Sequence, residues 1–353
     1  MCHQGGFGFG AKAFRCERPF FLSHGWSRLE FPPESRPAAS RAGASHLCPF
    51  ARDTDPLLSL QCPKRWYDLP EGDTIYRAAR TLNQALAGRT VIGFATGLAT
   101  LARVNDDTPL VGRTVEKVES RGKWCLMYFS GQGEHVPLIL VTHMRMSGSW
   151  HLYRTGEPWQ KARSEMRVVI RTDVYEAVAF NVPVAEFHTA RSLERTEVPK
   201  LGPDVVSGDF TLETGVARLE AYAREHPEEE VGVVLLNQRV ISGLGNIYKN
   251  EVAFAARVNP WRPVGTLTRA EIERLVEFAM RYMRSNVAEG KGRGIATYTG
   301  QRRTSGPMKS SDRLWIYKRQ GQECRRCGAT ILMRKQGTQV RSTYWCPECQ
   351  RMR

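Results

Sequence analysis

Four cysteines near the end of the chain have the spacing of a metal site: Cys324-x2-Cys327, an interval of 18 residues, then Cys346-x2-Cys349. Two residues between paired thiolates let both reach one ion, and a short hairpin between the pairs completes the tetrahedron that zinc favours. A module of about 30 residues is too small to stand on its own core, so one structural zinc ion per chain is expected. The same module carries Arg325, Arg326, Arg334, Lys335 and Arg341, cations suited to phosphate.

A second stretch, residues 231–254, runs from an apolar segment through Asn237-Gln238-Arg239 into Ile241-Ser242-Gly243-Leu244-Gly245-Asn246-Ile247-Tyr248. Two glycines would let the backbone approach a phosphate closely, and a helix beginning near Asn246 would offer free N–H groups to an anion. A tight turn between two core helices explains the same residues equally well.

The elements that must position these groups follow from periodicity. Asp73 is a candidate N-cap, after which Ile75, Ala78, Ala79, Leu82 and Leu86 mark one face of a helix ending at Gly88. Short runs rich in Val, Ile, Tyr, Phe and Trp follow (114–118, 124–129, 138–142, 149–153, 166–171 and 174–180), the pattern of an antiparallel sandwich. From Leu212 the period becomes helical, with Val216, Leu219 and Ala223 on one stripe. A later helix opens on a capping box, Thr268 and Glu271, and continues through Ile272, Leu275, Val276, Ala279 and Met283. Residues 290–311 are rich in Gly, Lys, Arg and Ser, and the cysteine module ends the chain.

The 353 residues carry a net charge of +15, which favours a polyanion partner through counterion release. The longest apolar runs are about six residues, far short of the roughly 18 a membrane span needs, so no membrane partner is expected. The first 30 residues lack the apolar core of a secretory signal, which points to the cytoplasm and to nine cysteines without disulfides.

Taken in order, Pro70-Glu71-Gly72-Asp73, Arg121-Gly122-Lys123, His143-Met144-Arg145-Met146-Ser147-Gly148, Leu201-Gly202-Pro203-Asp204, the 241–248 stretch and a four-cysteine finger with Arg341 before Tyr344-Trp345-Cys346 resemble the formamidopyrimidine-DNA glycosylase and endonuclease VIII family. The resemblance covers residues 70–353. It implies an α+β multidomain fold: an N-terminal two-layer β-sandwich with flanking helices (70–200), a helix-two-turn-helix domain (201–311) and a C-terminal four-cysteine zinc finger (312–353).

It also implies an enzyme of base excision repair, both DNA glycosylase and AP lyase, acting on damaged double-stranded DNA as a monomer, in a bacterial cytoplasm at the nucleoid. Pro70, as a free N-terminal amine, would attack C1′ of the damaged nucleotide, and Glu71 would donate the proton that opens the sugar ring. Lys123 resembles the lysine of β-elimination, and Arg341 the finger arginine that grips phosphates and assists δ-elimination. Asn246 and Lys200 match further DNA contacts. Met146 would fill the gap left by an extruded base, with Arg145 facing the orphaned partner. Where the oxidised-purine branch carries Arg-Arg-Phe-Gly, this chain reads Val174-Tyr175-Glu176-Ala177-Val178-Ala179-Phe180-Asn181. That departure favours the endonuclease VIII branch and oxidised pyrimidines. The competing class is a non-catalytic zinc-finger DNA-binding protein.

A conflict remains at the start. An internal Pro70 has its nitrogen in a tertiary amide and cannot attack a sugar. Leu69 precedes it, bacterial initiation can use leucine codons, and after Met1 no methionine occurs before Met127. Residues 1–69, with scattered Cys2, Cys16, Cys48 and Cys62 and no sustained period, are therefore expected to be an untranslated or unstructured leader. A transit peptide is the rival, poorly suited by Glu17, Glu30, Glu34, Asp53, Asp55 and Asp68.

Overall fold

A computed structural model of the chain describes residues 70–288, 295–298 and 310–352. The expectations for residues 1–69, and for most of 290–311, lie outside the described residues.

The first helix, α1 (Gly72–Leu86), starts two residues earlier than the sequence predicts. Glu71, not Asp73, is the flanking residue, because its carbonyl accepts the N–H groups of Thr74 and Ile75 at 3.0 and 3.1 Å. The five apolar residues of the predicted stripe are all buried. They pack on one sheet of a sandwich.

After β1 (Gly93–Thr96) and α2 (Ala99–Asp107) come β2 (Val115–Arg121), β3 (Trp124–Phe129), β4 (Leu138–His143), β5 (Ser149–Arg154), β6 (Met166–Arg171), β7 (Tyr175–Phe180) and β8 (Val184–His188). They form two four-stranded antiparallel sheets, in order β1-β6-β7-β5 and β2-β3-β4-β8. Alternation along each strand explains the layers. Cys125, Met127 and Phe129 of β3 face the core shared with α1 and the other sheet. Leu126 turns outward to Val198, with Leu193 of α3 (Ala190–Leu193) beside it. The periodicity gave no sign of β1, β8 or α2: β1 is four residues long and β8 alternates weakly.

The helical part contains α4 (Leu212–Glu225), the short α5 (Val231–Val234), α6 (Asn246–Ala255) and α7 (Arg269–Ala288). The capping box is present: Thr268 N donates to Glu271 Oε2 at 2.9 Å, and Glu271 N to Thr268 Oγ1 at 3.3 Å. The finger is a hairpin of β9 (Leu332–Gln336) and β10 (Arg341–Trp345) between the two cysteine pairs. All described residues fall within one unit, Thr54–Arg353. Among them no helix is long and apolar enough to cross a membrane.

Helix α6 is the hub. Every residue after Asn246 in it is buried, polar ones included. Asn250 accepts the Tyr344 N–H at 2.6 Å, and Glu251 accepts those of Trp315, Ile316 and Tyr317 at 2.8 to 2.9 Å. Buried polar groups on a helix are tolerated when each finds a partner. Here the partners belong to the finger and the segment leading into it.

Candidate active site and nucleic-acid interface

Glu71 reaches the N-terminus of α6 from 174 residues away. Its Oε2 accepts the N–H groups of Gly245 (3.1 Å) and Tyr248 (3.2 Å), and its Oε1 that of Ile247 (2.7 Å). The helix end is thus occupied by a carboxyl of the chain itself, which is neither an external anion nor a tight turn alone. The two glycines also serve that arrangement. Gly72 lies so close to the 243–245 turn that a Cβ there would come within 2.6 Å of Gly243 Cα, and a Cβ on Gly245 would overlap the Glu71 carboxyl.

Burial pushes the Glu71 carboxyl up to about 7, against the opposing pull of Lys123 and of the Ile247 and Tyr248 N–H groups. At neutral pH a large share is therefore protonated and able to donate. Lys123 follows Gly122 in the turn between β2 and β3 and is half-buried. Burial pushes its ammonium below the ordinary lysine value, Glu71 pulls it back up, and Arg341 pushes it down again. These mutual effects put Glu71, Lys123 and Arg341 in one electrostatic neighbourhood, with Pro70 beside Glu71 in the chain. Asn246 belongs to the same corner and donates from Nδ2 to Ser342 O, next to Arg341, at 3.1 Å.

The 144–146 loop stands at the edge of this group. Met144 is core, 2% exposed, whereas Met146 is 62% exposed. Arg145 has a left-handed backbone (φ 47°), and its N–H donates to His143 Nδ1 at 3.0 Å. An acceptor at Nδ1 requires that nitrogen to be unprotonated. Burial, with the charges of Arg145 and Lys123, pushes His143 down to about 4, so it meets that condition. Lys200 is not gathered in: it pairs with Glu197 at 3.0 Å, which also holds Arg239 at 2.8 Å.

Both parts of the chain match known families in sequence. Residues 69–189 match the formamidopyrimidine-DNA glycosylase N-terminal domain, and residues 201–298 the H2TH domain of formamidopyrimidine-DNA glycosylase. A relative described as probable endonuclease 8 2, from Streptomyces coelicolor, is 36% identical over 286 residues, covering 80% of this chain and 94% of its own. The chain belongs to the formamidopyrimidine-DNA glycosylase family. The DNA-(apurinic or apyrimidinic site) lyase Nei2 of Mycolicibacterium smegmatis is 31% identical over 282 residues, 80% of this chain and 99% of that protein. In fold, the chain is similar to the Lactococcus lactis formamidopyrimidine DNA glycosylase solved with DNA containing an AP site. The TM-score is 0.63 at 22% identity, over 80% of this chain and all of that one.

Asp204 braces the turn that carries Lys123. Its Oδ2 accepts the Gly122 N–H at 2.7 Å and its Oδ1 the Val206 N–H at 3.1 Å, which ties the Lys123 turn to the helical part. Gln238 braces the other side, accepting from Gly243 N at 3.0 Å and donating to Leu244 O at 2.9 Å. Sequence reasoning quoted both residues and gave neither a role. It passed over Lys249, a lone cation inside an otherwise buried helix, and Thr343, which that lysine touches.

The four cysteines could hold a metal ion. Their sulfurs all lie within 4.8 Å of one another, with Cys327 to Cys346 at 3.4 Å and Cys324 to Cys349 at 3.9 Å. Thiolates about 2.3 Å from a tetrahedral zinc stand about 3.8 Å apart, so the set fits.

Proposed function

We propose that this chain is a bifunctional DNA glycosylase and AP lyase of base excision repair that removes oxidised pyrimidines from double-stranded DNA. The observation that carries the proposal is Glu71: a carboxyl sunk beneath the finger, held by three helix N–H groups at a titration point near 7, adjoining the one residue whose nitrogen, as a chain terminus, is a secondary amine.

In this reading Glu71 protonates the ring oxygen and the sugar opens as the neutral Pro70 nitrogen bonds to C1′; the N-glycosidic bond then breaks, the base departs with the proton the amine sheds, and an iminium links Pro70 to C1′. The cation acidifies the C2′ proton, whose removal expels the 3′ phosphate; a second elimination expels the 5′ phosphate. Lys123 and Arg341 supply positive charge where those phosphates depart, and Asn246 shares their grip. Arg145 and Met146 would enter the stack, and Lys200 would touch the backbone from outside the group. Zinc on Cys324, Cys327, Cys346 and Cys349 would keep the Arg341 hairpin folded.

The pyrimidine preference rests on residues 174–181, which lack Arg-Arg-Phe-Gly and form β7 inside a sheet, and on relatives described as endonuclease 8. The chemistry needs the bond between Leu69 and Pro70 to be absent from the active form. The non-catalytic reading holds for any form that retains that bond. Borohydride trapping decides. A form beginning at Pro70 should give a covalent protein-DNA adduct on abasic DNA, a form retaining Leu69 should give none, and N-terminal sequencing of active native protein should read Pro-Glu-Gly-Asp. No adduct from the Pro70 form would leave a DNA-binding protein without lyase chemistry.

A further inference from the structure

The mechanism proposed above leaves one buried cation unused. Lys249 lies in the first turns of α6, 1% exposed, and its Nζ donates to Thr343 Oγ1 at 2.6 Å. The Thr343 hydroxyl spends its own proton on Gln336 Oε1 at 2.7 Å, so it offers the lysine only a lone pair. Gln336 Nε2 in turn donates to Glu230 Oε2 at 2.9 Å and Pro260 O at 2.8 Å. Glu230, the nearest carboxylate along this chain of bonds, is thereby taken by an amide one step short of the lysine. An ammonium has three N–H donors; one is occupied here, and among the described residues Lys249 forms no ion pair.

The side chain borders an open cleft of about 390 Å³, lined also by Trp124, Asn237, Arg239, Gln339 and Arg341. Arg341 and Thr343 are two apart on β10 and share a face, which sets Lys249 beneath the finger arginine. Two cations against one cleft, the deeper without a counter-ion, leave room for an anion between them. We propose that Lys249 is a DNA-phosphate contact, forming with Arg341 a two-cation anion site in the floor of this cleft. The proposal rests on the reading that the cleft receives DNA.

Burial, and then the Arg341 charge, push the Lys249 amine down to about 7, while Glu71 and Glu230 pull it up. Those three are the charged groups that face it, from β10 and from the segments preceding α1 and α5. About half of the free protein therefore carries an uncharged lysine at pH 7. A phosphate favours the ammonium, so binding should draw about half a proton from solution.

The test is calorimetric titration of the whole zinc-loaded chain at pH 7 with a duplex holding a tetrahydrofuran abasic analogue, in two buffers of different ionisation enthalpy. Wild type should take up protons. Lys249→Met should lower that uptake by about half a proton, raise Kd about tenfold and make the salt slope shallower by about 1. Lys249→Arg, a cation that cannot titrate, should rescue the affinity while the uptake stays lost. Glu71 titrates in the same range, so the assignment rests on differences from wild type. If Lys249→Met loses zinc or fails to fold, Lys249→Arg alone carries the test. Uptake undiminished in Lys249→Arg, or a Kd and salt slope unmoved in a folded Lys249→Met, overturns the inference while DNA binding stands. Failure of wild type to prefer the abasic duplex overturns the reading of the cleft, and this inference with it.

Discussion

At the scale of single residues, the proposed mechanism gives Glu71 two tasks that pull in opposite directions. As a partner of three N–H groups it would be best ionised, yet as a proton donor it must keep its proton. Burial decides, and the carboxyl rests near 7. A group raised in this way donates below its titration point and not above it, so base release should decline as pH rises through about 7. The lyase step on a preformed abasic site, whose hemiacetal sugar opens to the aldehyde on its own, should lack that decline. Glu71→Gln should cut base release by about 10²-fold or more while leaving lyase activity on abasic DNA; equal loss of both would remove the residue from the first step. The same shift bears on stability. The unfolded carboxyl titrates near 4.5, so its contribution is full below that pH and is lost as pH rises through about 7. Melting curves of wild type and Glu71→Gln should therefore converge in slope only outside that window.

Little of this balance can be read from the sequence. Pro70-Glu71 is an ordinary dipeptide, and what makes Glu71 unusual is contact with residues 245–248, remote in the chain. Spacing alone does reveal the cysteine set, because CxxC pairs are local and geometry follows from them directly.

At the scale of elements, local periodicity carried the long helices and the longer strands. The outward faces of α1 and α4 are polar, and the core stripes were visible. What it could not carry was the burial of α6, whose start near Asn246 it did give. A segment with Lys249, Asn250 and Glu251 at its centre does not read as buried, since the partners that satisfy those groups come from residues about 65 to 95 further on. The glycines before it read equally as room for a phosphate or as a tight turn, and in the structure they make room for Glu71 and Gly72. That difference is testable. Gly245→Ala places a methyl on the Glu71 carboxyl, and overpacking of this kind costs about 1–3 kcal/mol, so the melting temperature should fall by several degrees and base release should be lost. Gly208→Ala, at a turn with open space around it and no left-handed backbone, serves as the control and should leave base release as it was. Equal behaviour of the two would mean that the 245 contact is not what holds the acid.

At the scale of the whole molecule, sandwich, helices and finger are joined through α6, and the four cysteines of the finger stand close enough to share one metal ion. Chelation, or Cys346→Ser together with Cys349→Ser, should unfold the β9–β10 hairpin and release Arg341, Thr343 and the Tyr344 N–H from α6. Metal analysis of the untreated protein should find about one zinc. DNA affinity should collapse on chelation, and the melting transition should broaden or split, because the sandwich keeps its own core. A chelated protein that binds abasic DNA undiminished would separate the finger from the site.

The reach of Glu71 to residues 245–248 also has a meaning for synthesis. A ribosome releases the chain from its beginning, so Glu71 emerges long before the turn that holds it. Until residues 245–248 have been made, its carboxyl has only water to bond and titrates as an ordinary glutamate. The raised titration point belongs to the later chain and reaches the earlier residue only when the two fold together.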